Sequence, residues 1–410
     1  MWPYDGPMDY SWHRNDNNEL FFGDGNGWRP IERARSLSVG DCFTRHDLWR
    51  AWHSIYTLHR PQPSIWIREL QRGNIDVLVA LILGHLPSLT KLVLGFGYLH
   101  HAQFIPAIFR HKLMERFIQT KEPYLKSLKT VELALDTPQY AVSYWSDLDL
   151  LRPFFFVSTI EKFHAGLVEP WLFAWPGTRP ICPSMTTLVL CRSGIEEDTL
   201  NQILSATPAL KHLTYDHQRN TDWTYELPEP ANAYQIRCWR LNVALSQVKK
   251  TLQTLAIRIK FYAHEHQLGV PDVYNYDGPS GVAGRLTILK DMPQLQRLEI
   301  PWEVLFGWDI AIPTSWSDSL PPSLQEICLR DDSCIVAGYE WIEDVTFDRA
   351  VQLLDCYPES FMKLKRVDLA HVFDYNYRMG RLNKHDERLR AMFNSEGIGF
   401  DSILEQEGLE

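Results

Sequence analysis

Apolar residues recur along this chain in one fixed spacing. In each copy, an apolar residue is followed by a second three residues later and by a third two residues after that. The clearest copy is Met185-x-x-Leu188-x-Leu190. Because side chains alternate along an extended backbone, Leu188 and Leu190 share one face. The copy therefore predicts a short strand, and a turn is predicted after it at Ser193-Gly194.

An amphipathic helix is predicted directly after this strand. Its apolar residues recur three and four residues apart, and its first turn is acidic, as the helix dipole favours. These residues are Ile195, Leu200, Ile203 and Leu204, with Glu196, Glu197 and Asp198. Pro208 ends the helix, and Leu210-x-x-Leu213-x-Tyr215 predicts the next strand. Strand, turn, helix and strand is the pattern of a leucine-rich repeat.

The same spacing occurs nine times, at intervals of about 25 to 43 residues. The predicted strand cores are Leu92 and Leu94, Val131 and Leu133, Phe163 and Ala165, Leu188 and Leu190, Leu213 and Tyr215, Leu255 and Ile257, Leu298 and Ile300, Ile327 and Leu329, and Val367 and Leu369. We therefore predict an α/β fold, an irregular leucine-rich-repeat solenoid. Its curved, mainly parallel sheet lies on the concave side and its helices on the convex side.

Four segments are predicted along the chain: an irregular N-terminal arm (1–34), a helical cap (35–72), a solenoid of about nine units (73–404) and an acidic tail (405–410). Helices are predicted between strands at 75–83, 104–118, 241–248 and 347–354, the last with Thr346 as its cap. A closing helix at 385–393 and a strand at 398–404 complete the prediction.

Charge and composition indicate which partners and which cellular compartment to expect. The formal net charge is -10, and no run of Lys or Arg forms a basic stripe, so nucleic acid is not expected as a partner. No apolar segment approaches the roughly 20 residues that span a bilayer, and the start lacks a signal-peptide pattern. Seven cysteines without a CxxC pair suit reduced thiols. We expect a cytoplasmic or nuclear protein without a membrane partner.

Polar residues between the strand leucines form the first candidate site, since they face outward on the concave sheet. The candidate partner-binding residues are Lys91, Glu132, His164, Asp216, Arg258, Arg297, Glu299, Glu326, Arg330, Arg366 and Asp368. Toward the C-terminal half, Arg alternates with Glu or Asp. These charges either pair with one another across strands or meet a charged partner.

Aromatic residues in the long loops between repeats form the second candidate site. These loops are 136–145, 170–180, the segment around Trp223 and Tyr225, 270–281, 301–316 and 371–380, and Trp302 and Trp308 are their candidate partner-binding residues. Because loops normally prefer polar residues, so many aromatic rings indicate either packing of one loop on another or a recognition surface.

No pattern assigns catalytic residues, a cofactor or a metal. The chain has no GxSxG, no phosphate-binding glycine loop and no HExxH. The one dense cluster of His and carboxylate is His264-Glu265-His266, which lacks a third zinc ligand of fixed geometry and is interpreted as a surface loop.

Several phrases resemble the leucine-rich region of filamentous-fungal F-box proteins. They are LPSLTKLVL, FFFVSTIEKF, MPQLQRLEIPWEVLFG, LPPSLQEICLRDD and FMKLKRVDL, and the resemblance covers about residues 35 to 404. In that family an F-box docks a Skp1-type adaptor while the repeats hold a protein to be ubiquitinated. Residues 1–45 contain no leucine-proline-acidic segment of the F-box kind.

Two hypotheses follow. The first is a non-enzymatic recognition module that binds a protein partner on its concave face, as the resemblance to substrate-receptor repeats implies; a form that has lost its adaptor-docking end would act only as a binder. The second is an enzyme of specialised metabolism, with a small-molecule pocket between the aromatic loops and with His and acidic residues for proton transfer.

Overall fold

The computed structural model of the protein describes residues 12–14, 20–23, 28–30, 49–50, 53, 55, 63–86, 88–95, 104–105, 107–108, 125–133, 152–166, 173–175, 179–220, 235–262, 281–312, 314–333, 341, 343–357, 359–372 and 383–405. The chain forms two compact units. One unit comprises Met1–Leu86 and Gln103–His111, and the other comprises Pro87–Ala102 and Lys112–Glu410.

The first unit begins with a three-stranded antiparallel sheet. Its strands are β1 (Trp12–Arg14), β2 (Leu20–Gly23) and β3 (Trp28–Pro30). The sequence predicted an irregular arm here, whereas the structure contains regular pairing. Strands of three or four residues are too short to show an alternating pattern, since each places at most two residues on either face.

Two helices whose ends both lie in the described ranges follow in the same unit, α1 (Pro63–Gln71) and α2 (Ile75–Gly84). Asn74 caps α2 by accepting a hydrogen bond from the backbone N–H of Asp76. The Asp76 carboxylate accepts in turn from the N–H groups of Phe104 and Ile105, at 2.6 and 3.1 Å. The ring of Trp66 meets Phe104 edge-on, with centroids 4.8 Å apart, and so closes a small core.

A ten-stranded parallel sheet forms the second unit. Its strands are β4 (Lys91–Leu94), β5 (Thr130–Leu133), β6 (Lys162–Gly166), β7 (Thr187–Ser193), β8 (His212–Asn220), β10 (Thr254–Tyr262), β12 (Arg297–Pro301), β13 (Glu326–Arg330), β14 (Arg366–Val372) and β15 (Gly399–Glu405). They lie side by side in chain order, and every neighbouring pair is parallel. Each predicted strand core lies in one of the first nine, and the predicted closing strand is β15.

The same backbone joint precedes most of these strands. Before β8, Leu210 donates its N–H to the carbonyl of Thr207, and both Lys211 and His212 donate to the carbonyl of Thr186. One carbonyl thus accepts from the residue just before the next strand and from the first residue of that strand. Eight carbonyls do so, those of Thr90, Lys129, Glu161, Thr186, Lys211, Gln253, Gln296 and Gln325. The repeated joint holds the register, because a parallel strand cannot shift without losing both bonds.

Burial alternates along these strands as the sequence predicted. On β7, Leu188 and Leu190 are fully buried, whereas Thr187 and Val189 are partly exposed. The pattern repeats from β4 to β13 with few departures, one of which is the buried Ala256 on β10. One face of the sheet therefore packs into the core and the other carries the polar residues.

Helices connect the strands of the second unit. Those in the described ranges are α3 (Glu197–Ser205), α4 (Cys238–Ser246), α5 (Trp302–Phe306), α6 (Trp316–Ser319), α7 (Glu343–Cys356) and α8 (Asn383–Ser395). Two short strands, β9 (Gln235–Arg237) and β11 (Gly281–Ala283), pair separately from the large sheet. Thr346 was predicted to cap a helix but lies inside α7, because the first turn of α7 is mostly polar and apolar spacing first becomes visible at Phe347.

Candidate functional site

Outward-facing residues form two rows across the ten-stranded sheet. The first row contains Lys91, Thr130, Lys162, Thr187, His212, Thr254, Arg297, Glu326, Arg366 and Gly399. The second row contains Val93, Glu132, His164, Val189, Thr214, Ala256, Glu299, Cys328, Asp368 and Asp401. Neighbours within a row lie on strands about 4.8 Å apart. Val93, Val189 and Ala256 are apolar exceptions in the second row. The sheet therefore presents a broad face that is mainly polar.

Several charges on this face pair with one another. The pairs are Lys91 with Glu132 at 2.8 Å, Arg297 with Glu326 at 3.1 Å, and Arg366 with Asp368 at 2.8 Å. Pairing across or along strands is thus observed for the alternating charges. The three basic side chains are each more than half exposed, so each pair contributes about 0 to 1 kcal/mol of stability. Such charges remain available to a partner.

Glu299 lies between two arginines on neighbouring strands. Its Oε1 is 2.6 Å from Nε of Arg258 on β10 and 2.6 Å from Nη1 of Arg330 on β13. Its Oε2 also accepts from Nη2 of Arg258, at 3.1 Å. The carboxylate therefore bridges three strands, and Arg258 forms a two-point contact with it.

Arg330 continues this network into the interior. Its Nε donates to Oδ1 of Asp332 at 2.8 Å, and both side chains are 1% exposed. Asp332 Oδ2 accepts from the backbone N–H of Ile259, at 2.7 Å. Burial raises the pKa of Asp332 to about 7, against the opposing effect of Arg330. We call Arg258, Glu299, Arg330 and Asp332 the arginine–carboxylate network.

A second buried carboxylate lies on α5. Glu303 is fully buried and accepts a hydrogen bond from the Ser333 hydroxyl through its Oε1. Its Oε2 has no hydrogen-bond partner in the described part of the chain. Burial raises the pKa of Glu303 to about 8, although the bond from Ser333 lowers it. The raised pKa favours the protonated form of Glu303 at neutral pH.

Further contacts between polar groups occur near the C-terminal ends of the strands of the large sheet. On β7 the register shifts between Leu190 and Ser193, and the N–H of Arg192 donates to Oδ2 of Asp216 at 3.2 Å. The Asp331 carboxylate lies 3.1 Å from Nδ1 of His371. Carboxyl ends of parallel strands commonly carry binding sites, but these groups are largely buried and bind one another.

Two histidines lie on the other half of the face. Burial lowers the pKa of His164, and Lys162 lowers it further while Glu132 opposes the change. Burial also lowers the pKa of His212, as do Lys211, Arg297 and Lys162. Both imidazoles are therefore mostly neutral at pH 7 and can both donate and accept hydrogen bonds.

Trp302, Arg330 and Asp216 were expected on the recognition surface, but all three side chains are buried. Trp302 is 2% exposed, and its ring centroid lies about 6 Å from those of Phe306, Trp316 and Trp341. Four large apolar rings gain more from mutual burial than from exposure. Arg330 is buried because it neutralises Asp332 and Glu299.

Trp308 remains partly exposed and lies against the backbone of Gly281 on β11. The loop 301–316 thus packs against another segment, one of the two arrangements that the sequence left open. Residues 136–145, 223, 225, 270–280 and 373–380 lie outside the described residues, and so does His264-Glu265-His266.

The structure separates the candidate residues into groups. Lys91, Glu132 and His164 lie on β4 to β6, whereas Arg366 and Asp368 lie on β14. Sequence reasoning missed Glu303, Asp332 and Lys162. Lys162 could have been found from the motif itself, since it directly precedes a strand leucine position, as Lys91 and Arg297 do. Glu303 and Asp332 could not have been found in this way, because no pattern in the neighbouring sequence predicts that their carboxylates are buried.

Comparisons with known proteins add no family. No protein-family model and no curated protein matches this sequence. Within the described ranges, no group of three or more His, Cys, Asp and Glu side chains is arranged to hold a metal ion. No helix in those ranges has the length and apolar character needed to cross a membrane.

Proposed function

We propose that this protein is a non-enzymatic recognition module that binds a protein partner on the outward face of its ten-stranded sheet. One observation carries the proposal: the strands lie in chain order and in register, so residues of nine successive motifs form two continuous rows that are mainly polar. Such a face spans far more surface than a small ligand needs and matches the size of a protein contact.

We also propose that the ten-stranded sheet and its helices form a leucine-rich-repeat solenoid. An irregular leucine-rich-repeat solenoid accounts for the repeated three-then-two spacing and for the single carbonyl that joins successive units at eight positions. It also accounts for helices between several strands. The resemblance to fungal F-box receptors adds a candidate partner, a Skp1-type adaptor, and an expected location in cytoplasm or nucleus. The cysteines among the described residues are free thiols, which suits those compartments.

Affinity purification from the native cells tests this function. The test variant places two bulky rings in the second row, Val189→Trp with Thr214→Trp, which lie opposite each other on β7 and β8. It leaves the charge unchanged. The control places the same rings at exposed helix and turn positions, Gln202→Trp with Gln294→Trp. Circular dichroism checks that both variants are folded.

We expect the recovered amount of at least one co-purifying protein to fall at least tenfold with Val189→Trp and Thr214→Trp. The same protein should be recovered in unchanged amount with the control variant. Equal recovery of every co-purifying protein with both variants contradicts the proposal. Recovery of a Skp1-type adaptor in the same experiment tests the adaptor role separately.

The enzyme hypothesis has one supporting observation, the raised pKa values of Glu303 and Asp332, which are typical of acid–base groups. Both side chains are buried among protein groups, so we place this function second. A metabolite extract screened by thermal shift tests it. A compound that stabilises the wild type but not Glu303→Gln favours an enzyme site, and the absence of such a compound counts against it.

A further inference from the structure

The first row has an unusual composition over its first seven positions. From β4 to β12 they are Lys91, Thr130, Lys162, Thr187, His212, Thr254 and Arg297. A basic residue or histidine alternates with a threonine at every step, and none of the seven is a carboxylate. We call these seven residues the basic–threonine row.

Exposure alternates in the same way. The four basic residues are exposed, and the three threonines between them are half-buried. Basic side chains therefore recur on every second strand, roughly 9.5 Å apart, with a hydroxyl group between each pair. Thr254 is already linked to His212, whose Nδ1 lies 3.1 Å from the threonine Oγ1. The row offers cations and hydrogen-bonding groups to one extended ligand.

The charge of the row is only partly neutralised. Lys91 pairs with Glu132, whose side chain is 20% exposed, and Arg297 pairs with Glu326, whose side chain is 40% exposed. Both cations are more than half exposed, so they remain accessible to the carboxylates of a partner. Lys162, the third of the seven residues, has no ion pair within the described ranges. Among the described residues, the charges that lower the pKa of His212 are those of three cations, Lys211, Arg297 and Lys162. The row is thus locally basic in a protein whose net charge is -10.

The length of the row indicates the kind of ligand. Lys91 and Arg297 are six strand spacings apart, roughly 29 Å, which exceeds a small metabolite. A nucleic acid would meet the negative charge of the whole protein and the Glu132 and Glu299 carboxylates of the second row. An acidic protein segment needs only local positive charge, because its own charges are fewer and more widely spaced.

We propose that the partner docks an acidic segment along the basic–threonine row, with its carboxylates on Lys91, Lys162 and Arg297. This inference rests on the proposed function and names the chemistry of the partner. Complementary charge of this kind sets the register of a complex and its association rate.

The test uses a fluorescein-labelled peptide of twenty residues that alternates Glu and Ser, with binding followed by fluorescence anisotropy in low salt and in moderate salt. The test variant is Lys91→Glu with Lys162→Glu. The control, Lys250→Glu with Lys290→Glu, makes the same change in net charge at exposed lysines outside the strands. A neutral variant, Lys91→Gln with Lys162→Gln, keeps the test valid if charge reversal impairs folding.

We expect the wild type to bind the peptide, with weaker binding as salt rises. The test variant should bind at least tenfold more weakly, the neutral variant should fall between, and the control should stay within twofold of the wild type. Equal losses in test and control variants, or no binding by the wild type, overturn the inference. Tighter binding of a twenty-nucleotide single-stranded DNA, lost with the same two lysines, overturns it in favour of nucleic acid.

Failure of this inference is distinguishable from failure of the proposed function. If co-purifying proteins are lost with Val189→Trp and Thr214→Trp but retained with the lysine test variant, the face binds a protein without using acidic groups. If all co-purifying proteins are retained with both variants, both the proposed recognition function and the acidic-segment inference are contradicted.

Discussion

Glu299 and Arg330 are joined by a bond of 2.6 Å between Oε1 and Nη1, on neighbouring strands of the sheet. The arginine side chain is 1% exposed, whereas that of Glu299 is 21% exposed. The guanidinium therefore connects Glu299 on the outward face to the buried Asp332. This contact fixes an outward-facing carboxylate through an interior cation, so the shape of the face depends on the core.

Replacement of Arg330 should be strongly destabilising. In Arg330→Met the buried Asp332 loses its cation, and we expect the free energy of unfolding to fall by about 3 to 5 kcal/mol. The exposed Arg297→Met loses only its pair with Glu326 and should cost about 1 kcal/mol or less. Urea denaturation at pH 8 measures both. Equal losses in the two variants would show that Arg330 does not carry the network.

A double variant isolates the Arg330–Asp332 contact. Asp332→Asn removes the charge that Arg330 neutralises while keeping an acceptor for Ile259. Arg330→Met combined with Asp332→Asn should therefore lose less stability than the two single changes added together, with a coupling of about 1 to 3 kcal/mol. Strict additivity would contradict the contact.

Stability should decrease as pH rises, because of Glu303. Its pKa is about 8 in the folded protein and 4.5 as the reference value, so between these values the folded state keeps a proton that the unfolded state has released. The stabilisation is complete below pH 4.5 and is lost as pH rises through 8. Asp332 acts in the same direction, since its pKa rises from 3.8 to about 7.

Glu303→Gln should flatten this pH dependence. The glutamine carbonyl can still accept from Ser333, and a neutral side chain has no charge to desolvate. Urea unfolding from pH 5 to pH 9 should show a decrease in the free energy of unfolding of the wild type, of which Glu303 contributes at most on the order of 4 kcal/mol. The decrease should be smaller in the variant. Parallel curves for the two proteins would exclude Glu303 as the source.

The strands could be predicted because their signal is local. Leu188 and Leu190 reveal their common face within three residues. The arginine–carboxylate network could not be predicted, because its contacts depend on which strands become neighbours. Asp332 accepts from Ile259, 73 residues away, and Glu299 meets Arg258, 41 residues away. The basic–threonine row likewise emerges only when the register places Lys162, Thr187 and His212 side by side.

Aromatic residues illustrate the same limit. Trp302 and Trp239 each lie in the first turn of a helix that directly follows a strand. Trp302 is nevertheless 2% exposed, whereas Trp239 is 57% exposed. We expect Trp302→Ala to lose about 3 to 5 kcal/mol of unfolding free energy, because it empties the centre of an aromatic cluster. Trp239→Ala should lose far less. Thermal and urea unfolding test both, and a large loss from Trp239→Ala would place that ring in the core.

The packing of Trp308 against Gly281 leads to a prediction about the loop 301–316. Gly281 and Gly284 both have positive φ, 102° and 75°, so alanine is strained at either position. A Cβ on Gly281 would also overlap the Trp308 ring, whereas one on Gly284 would have its nearest neighbour 4.0 Å away. Gly284→Ala should therefore cost about 1 to 2 kcal/mol, and Gly281→Ala at least about 1 kcal/mol more. Adding Trp308→Ala to Gly281→Ala should recover part of that difference, as measured by urea unfolding. Equal costs at the two glycines would mean that the Trp308 ring moves aside freely, which would favour a recognition role for this loop over a packing role.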